Sequence, residues 1–232
     1  MRMLSRIVQL SALFALAASA SSMTMAAERI GDFSLVDADG RFFQLSRHAN
    51  QDAIVLLSYS HESRDARRAV ADLEDLAEDY ADQSVEFLLI NSTAVADKAV
   101  LKEEAEDRDI EFRILMDDTQ LVSGALGLSR IGEAVVIDPQ SLEVVFRGAL
   151  ASRQAEGSRS ERNEAAYVAD ALAAVLADTD VPANSIASKG EQIEYPQLDT
   201  ISYANDIAPI LEERCVTCHQ EGGIAPFAMS NH

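Results

Sequence analysis

The chain has 232 residues, of which 48% are hydrophobic, and it carries a formal net charge of −20. This length and apolar content suit one complete domain with its own core and part of a second domain. Such an acidic balance leaves no basic face for a phosphate backbone, so the composition argues against a nucleic-acid-binding protein. An acidic surface also repels anionic membranes.

The first 27 residues have the composition of an export signal. Arg2 and Arg6 precede an apolar run over residues 7–18 and then a stretch of small residues, with cleavage expected between residues 20 and 27. The apolar run is short for a membrane span, and an uncleaved anchor is the alternative. We therefore expect residues 1–27 to be a signal peptide and the protein to be exported to the periplasm.

Residues 28–178 alternate between strand and helix patterns, which predicts one α/β domain with a mixed sheet flanked by helices. The continuous apolar run Ala53–Tyr59 is typical of a strand buried on both faces. Residues 62–80 place apolar side chains at helical spacing. The other predicted elements are a hairpin over residues 33–45, a strand over 85–90, an acidic helix over 94–107, a strand over 112–116, a short helix over 120–126, a second hairpin over 134–147, and a terminal helix over 160–176 capped by Ser160.

Residues 179–200 are predicted to be a linker, because they combine proline and glycine with scattered polar residues and show no sustained period. A new helix is expected to start near Ser202 and to run towards Cys215. Pro209 is tolerated in that helix only if it lies in the first turn. Residues 201–232 are therefore expected to form a second, much shorter α-helical segment.

Cys215 and Cys218 are the only two cysteines of the sequence, and His219 follows them directly. This is the C-x-x-C-H pattern of covalent c-type haem attachment. Two thiols on one turn can each bond to a vinyl group of the porphyrin, and the histidine can ligate the iron. We expect Cys215 and Cys218 to hold haem c and His219 to be an axial iron ligand. Two alternatives stay open, a redox-active dithiol and a zinc site completed by a ligand such as His232.

Several short segments between residues 30 and 148 match the pattern of a known family. They are Ile30–Leu35, Val85–Ser92, Ile114–Asp118, Gly132–Pro139 and Val145–Gly148. Through them, the stretch from Ile30 to about Leu176 resembles the peroxiredoxin-like redoxin domains of the thioredoxin fold. The resemblance implies a thioredoxin-like mixed sheet over residues 28–178.

The catalytic pattern of those redoxins is not reproduced. In active relatives a redox cysteine follows the first long strand and opens the next helix, whose N-terminus favours the thiolate. The corresponding residues 58–64 hold no cysteine, Gly132 stands where relatives carry a cis-proline, and residues 189–191 lack a further cysteine that close relatives have there. We therefore assign no catalytic residue, and we interpret His61 as part of a helix N-terminus.

The second segment resembles the start of a cytochrome c-type domain, through Tyr203–Leu211, Arg214–His219 and Gly222–Phe227. Similar exported proteins place a redoxin-like domain before a c-type haem domain, and some continue into a copper monooxygenase-like domain. We expect the chain to end inside the haem domain. Its sixth iron ligand is then missing from the sequence, because Met229 lies too close behind His219 to reach the other face of the haem.

These patterns favour an exported electron-transfer protein with covalent haem c and a catalytically inactive redoxin-like domain that serves as scaffold or partner-binding module. The expected partner is an electron-transfer protein of the cell envelope, and the acidic helices could speed the docking of a basic one. The alternatives are a thiol-disulfide oxidoreductase that uses Cys215 and Cys218, and a non-catalytic binding scaffold.

Overall fold

A mixed β-sheet with helices packed against it organises the protein. The computed structural model describes residues 28–94, 97–157, 166–196 and 202–229. Within these ranges the strands are β1 (Glu28–Arg29), β2 (Ser34–Asp37), β3 (Phe42–Gln44), β4 (Ala53–Tyr59), β5 (Val85–Asn91), β6 (Arg113–Met116), β7 (Glu133–Asp138), β8 (Glu143–Ala149) and β9 (Ser185–Ile186). The α-helices are α1 (Arg64–Asp79), α2 (Lys98–Asp107), α3 (Leu121–Ala125), α4 (Tyr167–Leu176) and α5 (Ala208–Arg214).

The sheet has the strand order β1-β8-β7-β4-β5-β6-β2-β3, and β9 pairs with β8. Strands β4, β5 and β6 are parallel, whereas β7 and β8 form an antiparallel hairpin beside β4. Every residue of β4 is buried, as the unbroken apolar run predicts for a central strand covered on both faces. The ends of β4 and β5 therefore lie at the middle of the sheet, where side chains from several elements can meet.

Helix α1 packs against β4 and leads out of its carboxyl end. Ser63 is the N-cap, and its hydroxyl accepts a hydrogen bond from the amide of Ala66 at 3.3 Å. Val70 and Leu73 are buried on the inner face at helical spacing. Burying a side chain of that size contributes about 2 kcal/mol, so the apolar stripe fixes how the helix sits on the sheet.

The predicted elements are found with shifted ends. The acidic helix begins at Lys98 because the side chain of Asp97 caps it, accepting from the amide of Ala99 at 2.8 Å. The terminal helix is described from Tyr167 onwards, and its predicted cap, Ser160, lies outside the described residues. The predicted signal peptide, residues 1–27, also lies outside them. No helix in the described ranges has both the length and the apolar character needed to cross a membrane.

The segment predicted to be a linker differs most from expectation, because much of it packs against the sheet domain. Strand β9 pairs in parallel with β8, and Ile193 is buried in the core. The amide of Ile193 donates to the carbonyl of Ser129 at 2.9 Å, and the hydroxyl of Tyr195 donates to the carbonyl of Leu128 at 2.6 Å. Hydrogen bonding and apolar burial thus extend the domain to about residue 195, beyond the predicted boundary at 178.

Candidate functional site

The C-x-x-C-H motif follows directly from α5. Ser202 caps the helical segment, which runs through a π-type turn over Tyr203–Ile207 into α5, with Pro209 in the first turn of α5. The amide of Cys215 donates to the carbonyl of Leu211 at 2.9 Å, which closes the helix. The amides of Cys218 and His219 then both donate to the carbonyl of Cys215, at 3.2 and 2.9 Å. The three motif residues therefore share one tight turn.

His219 is held by a hydrogen bond and a ring contact with the same residue. Its Nδ1 lies 3.0 Å from the carbonyl oxygen of Phe227, and the two rings are 4.5 Å apart at an interplanar angle of 44°. A carbonyl oxygen only accepts, so Nδ1 carries the proton and donates. In the neutral ring Nε2 then keeps its lone pair. Histidines that bind metals are commonly oriented by such a bond from their other ring nitrogen.

A glycine pair lets the chain turn back onto the motif. Gly222 has a φ of 76°, in the left-handed region that favours glycine. A Cβ at Gly223 would lie 2.5 Å from the carbonyl oxygen of Cys218, closer than side chains tolerate. The returning loop brings the carbonyl of Phe227 to His219, and the amide of Met229 donates to the carbonyl of His219 at 2.7 Å.

Both thiols are free, with Cys215 half-buried and Cys218 exposed. In the described part of the chain no three His, Cys, Asp or Glu side chains are grouped so that they could hold one metal ion. A zinc site needs four converging ligands, so the zinc alternative has no support from the described residues, and His232 lies outside them. Covalent haem does not require four converging protein ligands, because the thiols bond to the porphyrin and only the histidine of the motif binds the metal.

The second place of interest is the carboxyl end of β4, where the redoxin resemblance implied a cysteine. Its turn holds His61, whose carbonyl accepts from Arg67 at 3.0 Å and whose Nε2 lies 3.9 Å from a carboxylate oxygen of Glu62. Gly132 donates its amide to the carbonyl of Ser58 at 2.8 Å, so the loop before β7 does face this corner. Its φ of 80° is of a kind that glycine adopts readily.

Buried hydroxyls and one amide side chain fill the interior of this corner. The hydroxyl of Ser92 receives hydrogen bonds from the hydroxyls of Ser58 at 3.0 Å and Ser123 at 3.2 Å. The amide nitrogen of Gln120 donates to the carbonyls of Ser92 at 2.8 Å and Glu194 at 3.1 Å. The corner is thus a hydrogen-bonded polar cluster, and it contains no thiol.

The central mixed sheet and its flanking helices define a thioredoxin-like redoxin fold. The chain belongs to the AhpC/TSA family, whose model matches residues 26–145, just over half of the chain. The redoxin family and the thioredoxin-like fold, which the first of the two sequence resemblances implied, are thereby confirmed. A search of curated proteins finds no match.

Solved structures show the same fold. A hypothetical protein from Sinorhizobium meliloti matches with a TM-score of 0.62 and 23% identity, over 74% of this chain and 94% of that one. An uncharacterized conserved protein from Geobacillus kaustophilus matches with a TM-score of 0.62 and 22% identity, over 75% of this chain and 93% of that one. At such identities the likeness concerns the fold alone.

Sequence reasoning located Cys215, Cys218 and His219 and expected them to act together, and the structure places them on one turn. It did not identify the carbonyl of Phe227 as the partner of His219, although the glycine pair in between was a signal for a returning loop. It also missed Gln120, whose role depends on contacts with residues far away in the sequence.

Proposed function

We propose that this redoxin-family protein transfers electrons through a haem c bound to the segment 202–229. Cys215 and Cys218 would hold the porphyrin covalently, and Nε2 of His219 would bind the iron. The observation that carries this proposal is the hydrogen bond from Nδ1 of His219 to the carbonyl of Phe227. It fixes the ring and its tautomer, and leaves Nε2 as the nitrogen that can bind a metal.

The donor set fits the group. Both thiols are unpaired on a single turn directly after a helix, and the histidine follows on the same turn. When bound, haem supplies one-electron redox chemistry. The protein's contribution is to hold the imidazole at a fixed orientation through Phe227, and Gly222 and Gly223 allow the loop to turn back so that this contact can form.

In this proposal the redoxin-like domain is catalytically inactive, because the turn at Ser60–Ser63 offers no thiol for peroxide or disulfide chemistry. The domain then acts as a scaffold or a docking surface. A net charge of −20 favours a basic electron-transfer partner, because opposite charges raise the rate of association. The N-terminal sequence favours a location outside the cytoplasm, in the periplasm.

The second candidate is a thiol-disulfide oxidoreductase, and membership of the AhpC/TSA family supports it more directly than it supports haem binding. The exposed thiol of Cys218 would attack a partner disulfide, and Cys215 would then resolve the mixed disulfide. The partner gains two electrons and two protons, and the chain is left with a Cys215–Cys218 disulfide. Against it, the attacking Cys218 lies beyond the C-terminal end of α5, whereas reactive cysteines are favoured at helix N-termini.

One experiment separates the candidates. The chain is expressed with its own N-terminus in a host that matures c-type cytochromes, and the purified protein is denatured, stained for haem and examined by its reduced absorption spectrum. Haem that survives denaturation, and that the double variant Cys215→Ser/Cys218→Ser loses, supports the first candidate. Thr217→Ser, which changes a residue between the two cysteines, is the matched control and should keep the haem.

Protein without haem contradicts the electron-transfer proposal. A thiol titration then decides between the remaining alternatives. Reversible conversion of two thiols to one disulfide by a disulfide-bearing peptide supports the oxidoreductase. Thiols that stay inert leave a non-catalytic binding scaffold.

A further inference from the structure

The sheet has one edge that is left open. Strand β8 pairs with β7 on one side, and on its other side it pairs with both β1 and β9. At the opposite end of the strand order lies β3, and none of the described strands pairs with its outer side. An unpaired edge strand presents backbone donors and acceptors that can pair with another chain. The outer side of β3 is therefore a candidate interaction surface.

The hydrogen bonds of the β2–β3 hairpin determine which backbone groups face outwards. The amide of Asp37 donates to the carbonyl of Arg41 at 2.9 Å, so these two residues form a hydrogen-bonded pair. Hydrogen-bonded and non-hydrogen-bonded pairs alternate along an antiparallel ladder. Phe42 and Gln44 follow Arg41 in an unbroken register and belong to pairs of the second kind. Their N–H and C=O groups therefore point away from β2, towards the open side.

Exposed apolar side chains accompany these backbone groups. Phe42 is 53% exposed, and Val36, its partner across the hairpin, is 39% exposed. Partners in a ladder lie on the same face of the sheet, so the two side chains form one apolar strip that reaches the open edge. The guanidinium of Arg47 lies 5.4 Å from the centre of the Phe42 ring and leaves the rest of the ring exposed.

The backbone of this edge is complementary to itself. Only Phe42–Gln44 is extended, because a turn precedes it and a 3₁₀ turn over Leu45–His48 follows it. In an antiparallel pairing about a twofold axis at Phe43, Phe42 of each copy lies opposite Gln44 of the other copy. Each such pair exchanges both of its hydrogen bonds, so all the outward backbone groups of both strands are satisfied. A longer foreign strand would extend past the edge without further partners.

The side chains match in the same pairing. The two Phe42 residues become diagonal neighbours about 7–8 Å apart, a distance that aromatic side chains can bridge. Further out, Asp39 of one copy and Arg47 of the other come to the same end of the pairing, and both residues are exposed. Asp39 is 48% exposed even though it pairs with Arg41 and Lys102. Opposite charges that meet across a contact select the partner and the register.

We propose that two copies of the chain associate through β3 and form one continuous sheet. The Val36 and Phe42 side chains of both copies make a single apolar strip, and Asp39 of each copy faces Arg47 of the other. The paired edge is short, so the contact belongs to the small, transient class of interfaces. It does not involve the C-x-x-C-H motif and is independent of the haem proposal.

Sedimentation equilibrium of the full chain tests the proposal, and concentrations of about 10–500 µM suit an interface of this class. A reducing agent keeps Cys215 and Cys218 from linking copies, and salt at about 0.15 M screens the repulsion between chains of net charge −20. We expect a reversible rise from the monomer mass towards the dimer mass. Amide hydrogen exchange at Phe42 and Gln44 should slow over the same range, whereas the amide of Phe43, which faces β2, should be equally protected throughout.

A substitution in the apolar strip locates the contact. Phe42→Lys removes the ring and places two cations next to each other, so it should weaken association at least about tenfold. Leu121→Lys is the matched control, because it introduces the same charge at a 61% exposed apolar side chain in α3, outside the hairpin. It should leave association unchanged. Both positions are exposed, so neither substitution disturbs the core.

Charge reversal identifies the partner as a second copy. Asp39→Lys and Arg47→Asp each place like charges across the twofold contact, and each should weaken self-association about three- to tenfold. An equimolar mixture of the two variants brings opposite charges together again at both ends of the pairing. The mixture should associate about as strongly as the unchanged protein, a recovery that only a contact between copies in this register produces.

The proposal is overturned by any of three results. One is a monomer mass over the whole concentration range. Another is association that Phe42→Lys leaves unchanged, which would place the contact elsewhere, for example on the exposed apolar side chains of the segment 202–229. The third is a mixture of the two charge variants that associates no more strongly than either variant alone.

Discussion

Gly190 lies against Ile131 so closely that a Cβ at position 190 would overlap the carbonyl oxygen of Ile131. The contact joins the segment that follows α4 to the loop before β7. It is reinforced on either side, since the amide of Lys189 donates to the carbonyl of Gln154 at 2.8 Å and the amide of Ile131 donates to the carbonyl of Glu191 at 2.8 Å. The absence of a side chain is thus what allows the two backbones to meet.

We expect Gly190→Ala to destabilise the domain by about 2–3 kcal/mol, because the backbone of Ile131 or of the segment must move to make room. Urea unfolding of the variant would measure the change. Gly31→Ala is the matched control, because no heavy atom lies within 4 Å of its added Cβ, and its midpoint should stay the same or rise slightly. Equal midpoints for Gly190→Ala and the wild type would show that the segment does not pack here.

The burial of Ile193 leads to a second stability prediction. Ile193→Ala should lower the free energy of unfolding by about 2–4 kcal/mol, the range for removing a large aliphatic side chain from a core. Ile210→Ala removes the same atoms from a side chain that is 56% exposed, and should change stability by less than about 0.5 kcal/mol. Similar small effects of both substitutions on the thermal midpoint would restore a linker interpretation for residues 179–200.

Asp37 predicts how stability depends on pH. Its carboxylate is 1% exposed and accepts hydrogen bonds from Nε of Arg41 at 2.8 Å and Nε of Arg113 at 2.9 Å. Burial alone would raise the pKa of Asp37, but the hydrogen bonds from Arg113 and Arg41 outweigh it, so the pKa lies below its ordinary value of 3.8. The carboxylate therefore stabilises the fold above about pH 4, and this contribution is lost as the pH falls through the lowered pKa.

Asp37→Asn should cost about 3 kcal/mol near neutral pH, because it leaves two arginines without their buried partner. It should also reduce the loss of stability on acidification below pH 4. Asp39→Asn, in a half-exposed carboxylate paired with Arg41 and Lys102, should cost less than about 1 kcal/mol. Chemical denaturation of the three proteins at several pH values measures both effects, and parallel pH profiles for the wild type and Asp37→Asn would contradict the assignment.

The last prediction concerns the tautomer of His219. Because Nδ1 faces the carbonyl oxygen of Phe227, the neutral ring should carry its proton on Nδ1. Nitrogen chemical shifts of the neutral imidazole distinguish the two tautomers directly. A proton found on Nε2 in the haem-free protein would mean that the returning loop does not hold the ring, and the structural support for an axial ligand would be lost.

The fold could be predicted from the sequence where the signal is local. Burial is visible in the apolar run Ala53–Tyr59 and in the helical spacing of Val70 and Leu73. The structure has strand β4 and helix α1 at these positions. The packing of residues 184–195 could not be predicted locally, because it depends on distant partners, such as Leu128 for Tyr195, 67 residues away. A two-residue strand such as β9 has no period from which it could be recognised.

The candidate sites divide in the same way. The motif Cys215–His219 is continuous in sequence, so it could be recognised from the spacing of its residues. Asp37 lies within the predicted hairpin over residues 33–45, but its contact with Arg113, 76 residues away, could not be inferred from the local sequence. Gln120 was taken as the start of a short helix, and neither its left-handed backbone nor its two distant carbonyl partners can be inferred from neighbouring residues.

Because residues 184–195 pack on the redoxin domain, only a short stretch of chain joins this domain to the cysteine-bearing segment 202–229. The distance between the two is limited accordingly. Pro196 ends one described range and Ser202 begins the next, so six peptide units join them. At about 3.5 Å per residue, even a fully extended chain separates these two positions by no more than about 21 Å. A partner protein bound at this edge of the redoxin domain therefore stays close to the start of the cysteine-bearing segment. Docking on the redoxin domain then raises the local concentration of the partner at Cys215 and Cys218.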